Sequence, residues 1–315
     1  MAASIPPLSV GVPGPKEHSS AALEPAIALL DTWLRQLQTA NPKAKPALLE
    51  EYLANCNPPT QSFATLVSAL CQTRLWRSFV IADNPYPALC QALASAVERA
   101  SQAMVCEPAY HSRSHFKDVC LALSALASQA QALGEQVAPE RNWQLGAEDW
   151  WVLFFCAIAH DYGHPGTRNR TPFELEKYAV ELTQSFLLEV NYPLLKTKSL
   201  MADVESIVLA TDPRHFEMLR ARMHDPKQPA TRIERMSMVL VEADLCASAL
   251  PQRGLELGLQ LAKEWEGEDM ALAHMVKSPA GRTRFLESIA FYSPYAQHLQ
   301  LERARTQSIL ELKGH

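Results

Sequence analysis

Apolar residues recur along this chain at helical spacing rather than at the two-residue spacing of strands. Leu23, Ile27, Leu30, Leu34 and Leu37 share one face of a helix predicted over residues 22–39. Shorter helical patterns fit 46–55 and 60–80, punctuated at Asn57-Pro58-Pro59 and at Asn84-Pro85-Tyr86-Pro87. Another helix fits 87–104. Residues 112–133 read as one long helix stopped at Gly134, and 147–160 as a strongly apolar one. An amphipathic helix is predicted over 172–190, with Pro172 in its first turn, where its missing N–H costs nothing. Further helices fit 199–211, 231–248, 252–265, 283–292 and 294–311. There is no strand alternation and no internal repeat. The predicted fold is all-α: a compact multi-helix bundle forming one domain over 21–315. Residues 1–20, rich in proline with few apolar anchors, are predicted to be a disordered lead.

Composition supports this reading. Hydrophobic residues make up 48%, enough for a sizeable core, and only 11 glycines are present, too few for a turn-rich strand fold. The net charge of −5 lacks the electrostatic footprint of a chain that wraps a nucleic-acid polymer. Any phosphate chemistry must therefore draw on local positive charge, from a metal or a few Arg and His side chains. The seven cysteines form no CxxC pair, which fits reduced thiols in a cytoplasmic protein. No basic-then-apolar leader pattern is seen, and no apolar run reaches the ~18 residues of a membrane span. Trp150 to Ala159 is apolar but too short to cross.

The candidate chemistry centres on His160-Asp161-Tyr162-Gly163-His164-Pro165-Gly166-Thr167-Arg168-Asn169. Adjacent histidine and aspartate at the end of a buried helix can both reach one metal ion. Imidazole suits zinc or iron, and a carboxylate can bridge to a harder ion such as magnesium or manganese. The pair alone means little. His224-Asp225 is another, and the polar stretch around it, Met223-His224-Asp225-Pro226-Lys227, predicts a surface loop. His160-Asp161 differs in its company. His111 and His115 lie four apart upstream and would share a face if that segment is helical. Downstream, Asp212 and Asp244 each follow an apolar helical run, where an ionised carboxylate is costly unless paired or bound to metal.

This set resembles the catalytic domain of class I cyclic nucleotide phosphodiesterases, within the HD superfamily of metal-dependent phosphohydrolases. The family pattern is H-N-x-x-H-A, then H-D-x-x-H-P-G-x-x-N, L-A-T-D and a late A-D-L. Here these read His111-Ser112-Arg113-Ser114-His115-Phe116, His160 through Asn169, Leu209-Ala210-Thr211-Asp212 and Ala243-Asp244-Leu245. The resemblance spans about residues 22–310. It implies that His115, His160, Asp161 and Asp244 hold a tighter metal, zinc or iron, and that Asp161 bridges to a second, magnesium or manganese. Two such ions about 3.5–4 Å apart can share a hydroxide that attacks phosphorus. His111 would protonate the leaving alkoxide. His164 and Asn169 would lie by the phosphate and the second metal. Glu176 falls where the family orients metal-bound water, and Thr211 and Asp212 would support the ligands from behind.

The resemblance has gaps. Ser112 replaces an asparagine that is not a ligand, and Tyr178 and Ala179 replace two histidines. Family members read the base with a glutamine three residues before a stacking phenylalanine. Phe285 aligns with the phenylalanine, although a core role fits it too, and Arg282 takes the glutamine position. Arginine has only donors, so it could meet a carbonyl or a phosphate but not copy an amide. His215 could approach the site or lie on the surface. His274 and His298 read as ordinary helix residues, and Trp150-Trp151 as core. The leading expectation is a phosphodiesterase acting on a small-molecule 3′,5′-cyclic nucleotide. The alternatives are an HD-type phosphomonoesterase or nucleotidase, and a nucleotide sensor without turnover. A dimer is compatible with the sequence.

Overall fold

A computed structural model describes residues 20–134, 143–223 and 228–314. The expected lead and the His224-Asp225 loop lie outside the described residues, apart from Ser20. Sixteen α-helices and one 3-10 turn are present, and there is no strand among the described residues. In chain order the helices are α1 (Ser20–Thr39), α2 (Lys45–Cys56), α3 (Phe63–Gln72), α4 (Arg74–Ser78), α5 (Tyr86–Ala103), α6 (Arg113–Leu133), α7 (Ala147–Ala159) and α8 (Glu174–Glu189). They continue as α9 (Leu194–Val208), α10 (Pro213–Met223), α11 (Arg232–Ala249), α12 (Pro251–Trp265), α13 (Met270–Lys277), α14 (Pro279–Ser288), α15 (Pro294–His298) and α16 (Leu301–Lys313). The 3-10 turn, Leu209–Thr211, follows α9.

Three helices form the centre. α7 is apolar all round from Trp150 to Ala159, and every one of those residues is buried. A helix without a polar face belongs inside a protein. α6, buried from His115 to Gln129, and α11, buried from Arg235 to Ala243, pack against it and each other. Trp76 of α4 stacks on Phe154 of α7 at 4.3 Å between ring centroids and donates its indole N–H to Ser124 of α6. The N-terminal end of α6, the C-terminal end of α7 and the C-terminal half of α11 meet at one end of this core. The candidate residues sit there.

Several predicted boundaries shift, each for a local reason. The 60–80 segment is two helices. Thr73, with extended ψ of 156°, ends α3 and caps α4 with its hydroxyl. Pro172 is not in the first turn of α8, which begins at Glu174 after Phe173 in a left-handed conformation (φ 63°). His111 precedes α6 instead of lying on it. The 283–292 helix lies at Pro279–Ser288, set by Ser278, whose hydroxyl accepts the Gly281 N–H, and by Pro279 in the first turn. The last predicted helix breaks at Gln300 (φ 65°) into α15 and α16. α10 and α13 are additional.

Candidate functional site

The four expected metal ligands converge. His115 projects from the first turn of α6, His160 and Asp161 directly follow α7, and Asp244 comes from α11. His115 Nε2 lies 3.0 Å from Asp244 Oδ1 and 3.4 Å from Asp161 Oδ2. His160 Nε2 lies 3.1 Å from Asp161 Oδ2 and 3.8 Å from Asp244 Oδ1. The two imidazole Nε2 atoms are 3.3 Å apart, and both rings are buried.

This donor set fits a divalent ion. His160 Nδ1 donates to the Ala157 carbonyl at 2.9 Å, which leaves Nε2 as the atom with a lone pair. Two partly buried carboxylates aimed at two imidazoles also form a pocket of negative charge that asks for a cation. Burial opposes charge on His115, but hydrogen bonds to Asp161 and Asp244 outweigh it and raise its pKa to about 10. His160 is likewise raised against its burial by the charge of Asp161. Asp161 is held well below the usual range, because the charge of His160 and bonds from both histidines overcome its desolvation. His115, His160 and Asp161 lie close enough together to hold one ion; so do His111, Asp161 and His164, with Asp161 common to both groups.

Beside the cluster, the His111 and His164 rings stack at 3.6 Å. His164 is buried and its Nδ1 accepts the Gly166 N–H at 3.1 Å. Burial and the neighbouring charge of His111 push its pKa down to about 3. It is therefore a neutral imidazole with the proton on Nε2. His111 Nδ1 lies 2.6 Å from Glu264 Oε1, while Glu264 Oε2 accepts the backbone N–H groups of Tyr110 and His111 at 2.8 and 3.1 Å. Burial raises the Glu264 pKa, yet the bond from His111 holds it below the ordinary value. The sequence reading misses Glu264. Its signal was its spacing: Leu257, Leu261 and Glu264 fall at i, i+4 and i+7, so a carboxylate occupies the apolar stripe of α12.

A second polar group adjoins the first. Asn169 Nδ2 donates to both carboxylate oxygens of Glu176 (3.0 and 2.9 Å) and lies 3.3 Å from Asp212 Oδ2. Asp212, buried, also accepts the Phe173 and Arg214 backbone N–H groups. Burial raises the Glu176 pKa. Thr211 turns its hydroxyl back to the Val208 carbonyl at 2.8 Å. His215 packs edge-on against Phe173.

The two residues at the expected base-reading positions share a face of α14 but differ in surroundings. Phe285 is 38% exposed. Arg282 is 6% exposed and donates from Nη2 to the Leu250 and Pro251 carbonyls, at 2.9 and 3.4 Å, while its Nε has no partner among the described residues. Its hydrogen bonds tie α14 to the corner between α11 and α12, and none goes to the histidine–aspartate cluster.

No protein-family model matches the sequence, and no curated protein does. Solved structures do. LmjPDEB1 in complex with IBMX superposes with a TM-score of 0.61 at 14% identity, covering 84% of this chain and 90% of that one. The phosphodiesterase domain of the RhoPDE fusion protein from the choanoflagellate Salpingoeca rosetta gives 0.60 at 16% identity, covering 82% and 92%. This chain therefore has the all-helical fold that these domains share.

Proposed function

We propose that this chain is a metal-dependent phosphodiesterase that hydrolyses a 3′,5′-cyclic nucleotide to the 5′-monophosphate. Fold alone does not assign an activity. The observation that carries the reading is the convergence of His115, His160, Asp161 and Asp244 beside the His111–Glu264 pair.

In this reading those four residues would hold a zinc- or iron-like ion, and Asp161 would also serve a magnesium- or manganese-like ion. Bound there, such ions would neutralise phosphoryl oxygens and acidify the attacking water. The chain's own groups do the rest. As the water oxygen bonds to phosphorus and the P–O3′ bond breaks, His111 Nε2 gives its proton to the 3′ oxygen. Glu264 keeps the other ring nitrogen engaged and fixes the ring plane. Neutral His164 can donate from Nε2 to a phosphoryl oxygen. Phe285, half-exposed, offers a face on which a base can stack. Arg282 is assigned to the α11–α12 corner.

The presence of an oriented acid favours a diester, whose alkoxide leaving group needs a proton. It gives a nucleotide sensor no advantage. The test is an assay of metal-loaded protein with cyclic AMP, cyclic GMP, an aryl phosphodiester and AMP. Release of 5′-monophosphate from a cyclic nucleotide is expected. Cleavage of AMP alone would replace this reading with a phosphomonoesterase, and turnover of none of them would remove the enzyme reading.

A further inference from the structure

Arg168 stands between His164 and Asn169, yet the proposed reaction gives it no part. Its contacts all run to one place. Its backbone N–H donates to Glu268 at 3.2 Å, Nη2 donates to Asp269 at 3.2 Å, and the guanidinium carbon stands 5.9 Å from the centre of the Trp265 ring. These partners are the last residue of α12 and the corner that follows it. The residue just before them is Glu264, which holds His111.

The end of α12 is thus gripped from two sides. Glu264 binds the loop that carries His111, and Arg168, from the loop that carries His164, binds the corner that follows α12. Gly166 brings the two loops together. Its φ of +80° suits glycine, and a Cβ there would lie 3.1 Å from Pro108 and 3.3 Å from Glu264 Cγ. Movement at the end of α12 would carry Glu264 with it and change the aim of His111.

We propose that Arg168 is a positioning residue for the acid step: by tying the α12 end to the loop after His164, it holds Glu264 where it aims His111 at the leaving oxygen. This rests on the proposed phosphodiesterase reaction. Arg168 and Asp269 are 41% and 35% exposed, and an ion pair so open adds little to stability. Its removal should leave the fold intact, so a kinetic effect can be read directly.

The test uses a series of aryl phosphodiesters on metal-loaded full-length protein, with leaving groups running from 4-nitrophenol to phenol. 4-Nitrophenolate departs without help from an acid, whereas phenolate benefits from one. For Arg168→Ala the expected result is a near-normal rate with the 4-nitrophenyl ester and a loss of about tenfold with the phenyl ester, part of the ~10²–10⁴-fold an acid supplies. Glu264→Gln should give the same pattern more strongly. The double variant should lose no more than Glu264→Gln alone, since the two act in series. Arg168→Lys should recover part of the rate. Equal losses across the series, no loss, or additive losses in the double variant would overturn the role of Arg168. Failure of the wild type to cleave any diester would overturn the reaction on which it rests.

Discussion

Glu264 Oε1 lies 2.6 Å from His111 Nδ1, and its other oxygen accepts the backbone N–H groups of Tyr110 and His111. One carboxylate therefore fixes both the backbone and the ring of the candidate acid. A histidine aimed in this way keeps one ring nitrogen occupied and presents the other. Glu264→Gln is expected to lower kcat for a cyclic nucleotide by about 10–100-fold with little change in thermal midpoint. Steady-state kinetics and a thermal melt check it. An unchanged kcat would mean that the pair does not orient the acid.

His115 is expected to be indispensable for stoichiometric metal. Its Nε2 meets both Asp161 and Asp244, so His115→Ala opens the cluster. Elemental analysis of protein purified without chelator should find transition metal in the wild type and a large deficit in the variant. Stripping the wild type with a chelator should abolish turnover, and divalent zinc or manganese should restore it. Equal metal in both proteins would remove His115 from the ligand set.

Much of this site was legible because metal ligation needs particular residue types near particular helix ends. His160-Asp161 follows the most apolar of the described helices, and the burial of His160 follows from that pattern alone. Residues that act through position were harder to see. Glu264 lies among Lys263, Glu266 and Glu268 and reads as part of a solvated charged surface until its place on the apolar stripe is noticed. Arg168 has no local signal, since its partners are about a hundred residues away. α10 was missed because Phe216 and Leu219 are its only buried side chains among many charged ones. α13 was missed because it is short and depends on Asp269 accepting the Leu272 N–H. Arg282 was read from an aligned position, and its contacts follow instead from the nearby glycines of α12.

Those glycines differ in a measurable way. A Cβ on Gly254 would lie 2.2 Å from the Ser248 carbonyl oxygen and 2.5 Å from Arg282 Nη2. Backbone cannot yield as a side-chain tip can, so Gly254→Ala should cost about 1–3 kcal/mol. Gly258 has nothing nearer than Arg282 Nη1 at 3.9 Å. Gly258→Ala should stabilise by about 0.5–1 kcal/mol through helix propensity. Urea denaturation of the two variants separates them. Similar losses in both would show that the approach of α12 to the end of α11 is not what requires Gly254.

Lys45 gives a pH-dependent prediction. It is 1% exposed, donates to Gln129 Oε1 at 2.6 Å, lies 3.3 Å from His298 Nδ1, and has no carboxylate contact among the described residues. Burial holds its pKa below the ordinary lysine value of 10.5. Between that lowered value and 10.5 the unfolded chain binds more protons than the folded one, so stability rises with pH in that alkaline window. Below the window the cost of burying the charge is fully present. Lys45→Met should therefore flatten the alkaline rise and leave the protein as stable or about 1 kcal/mol more stable at pH 7, with His298 still able to bond Gln129. Urea melts from pH 7 to pH 10 check this. A destabilised variant with the rise intact would contradict it.

The most direct measurement is hydrolysis of cyclic AMP and cyclic GMP by metal-loaded wild type and Asp161→Ala, with bound metal quantified in the same samples. Asp161 touches both imidazoles and belongs to both groups that could hold an ion. The expected result is 5′-monophosphate from the wild type, and from the variant a loss of bound metal with a fall in rate of at least ~10³-fold, in line with removing metal-ion catalysis. An Asp161→Ala protein that kept both its metal and its full rate would contradict the site described for this chain.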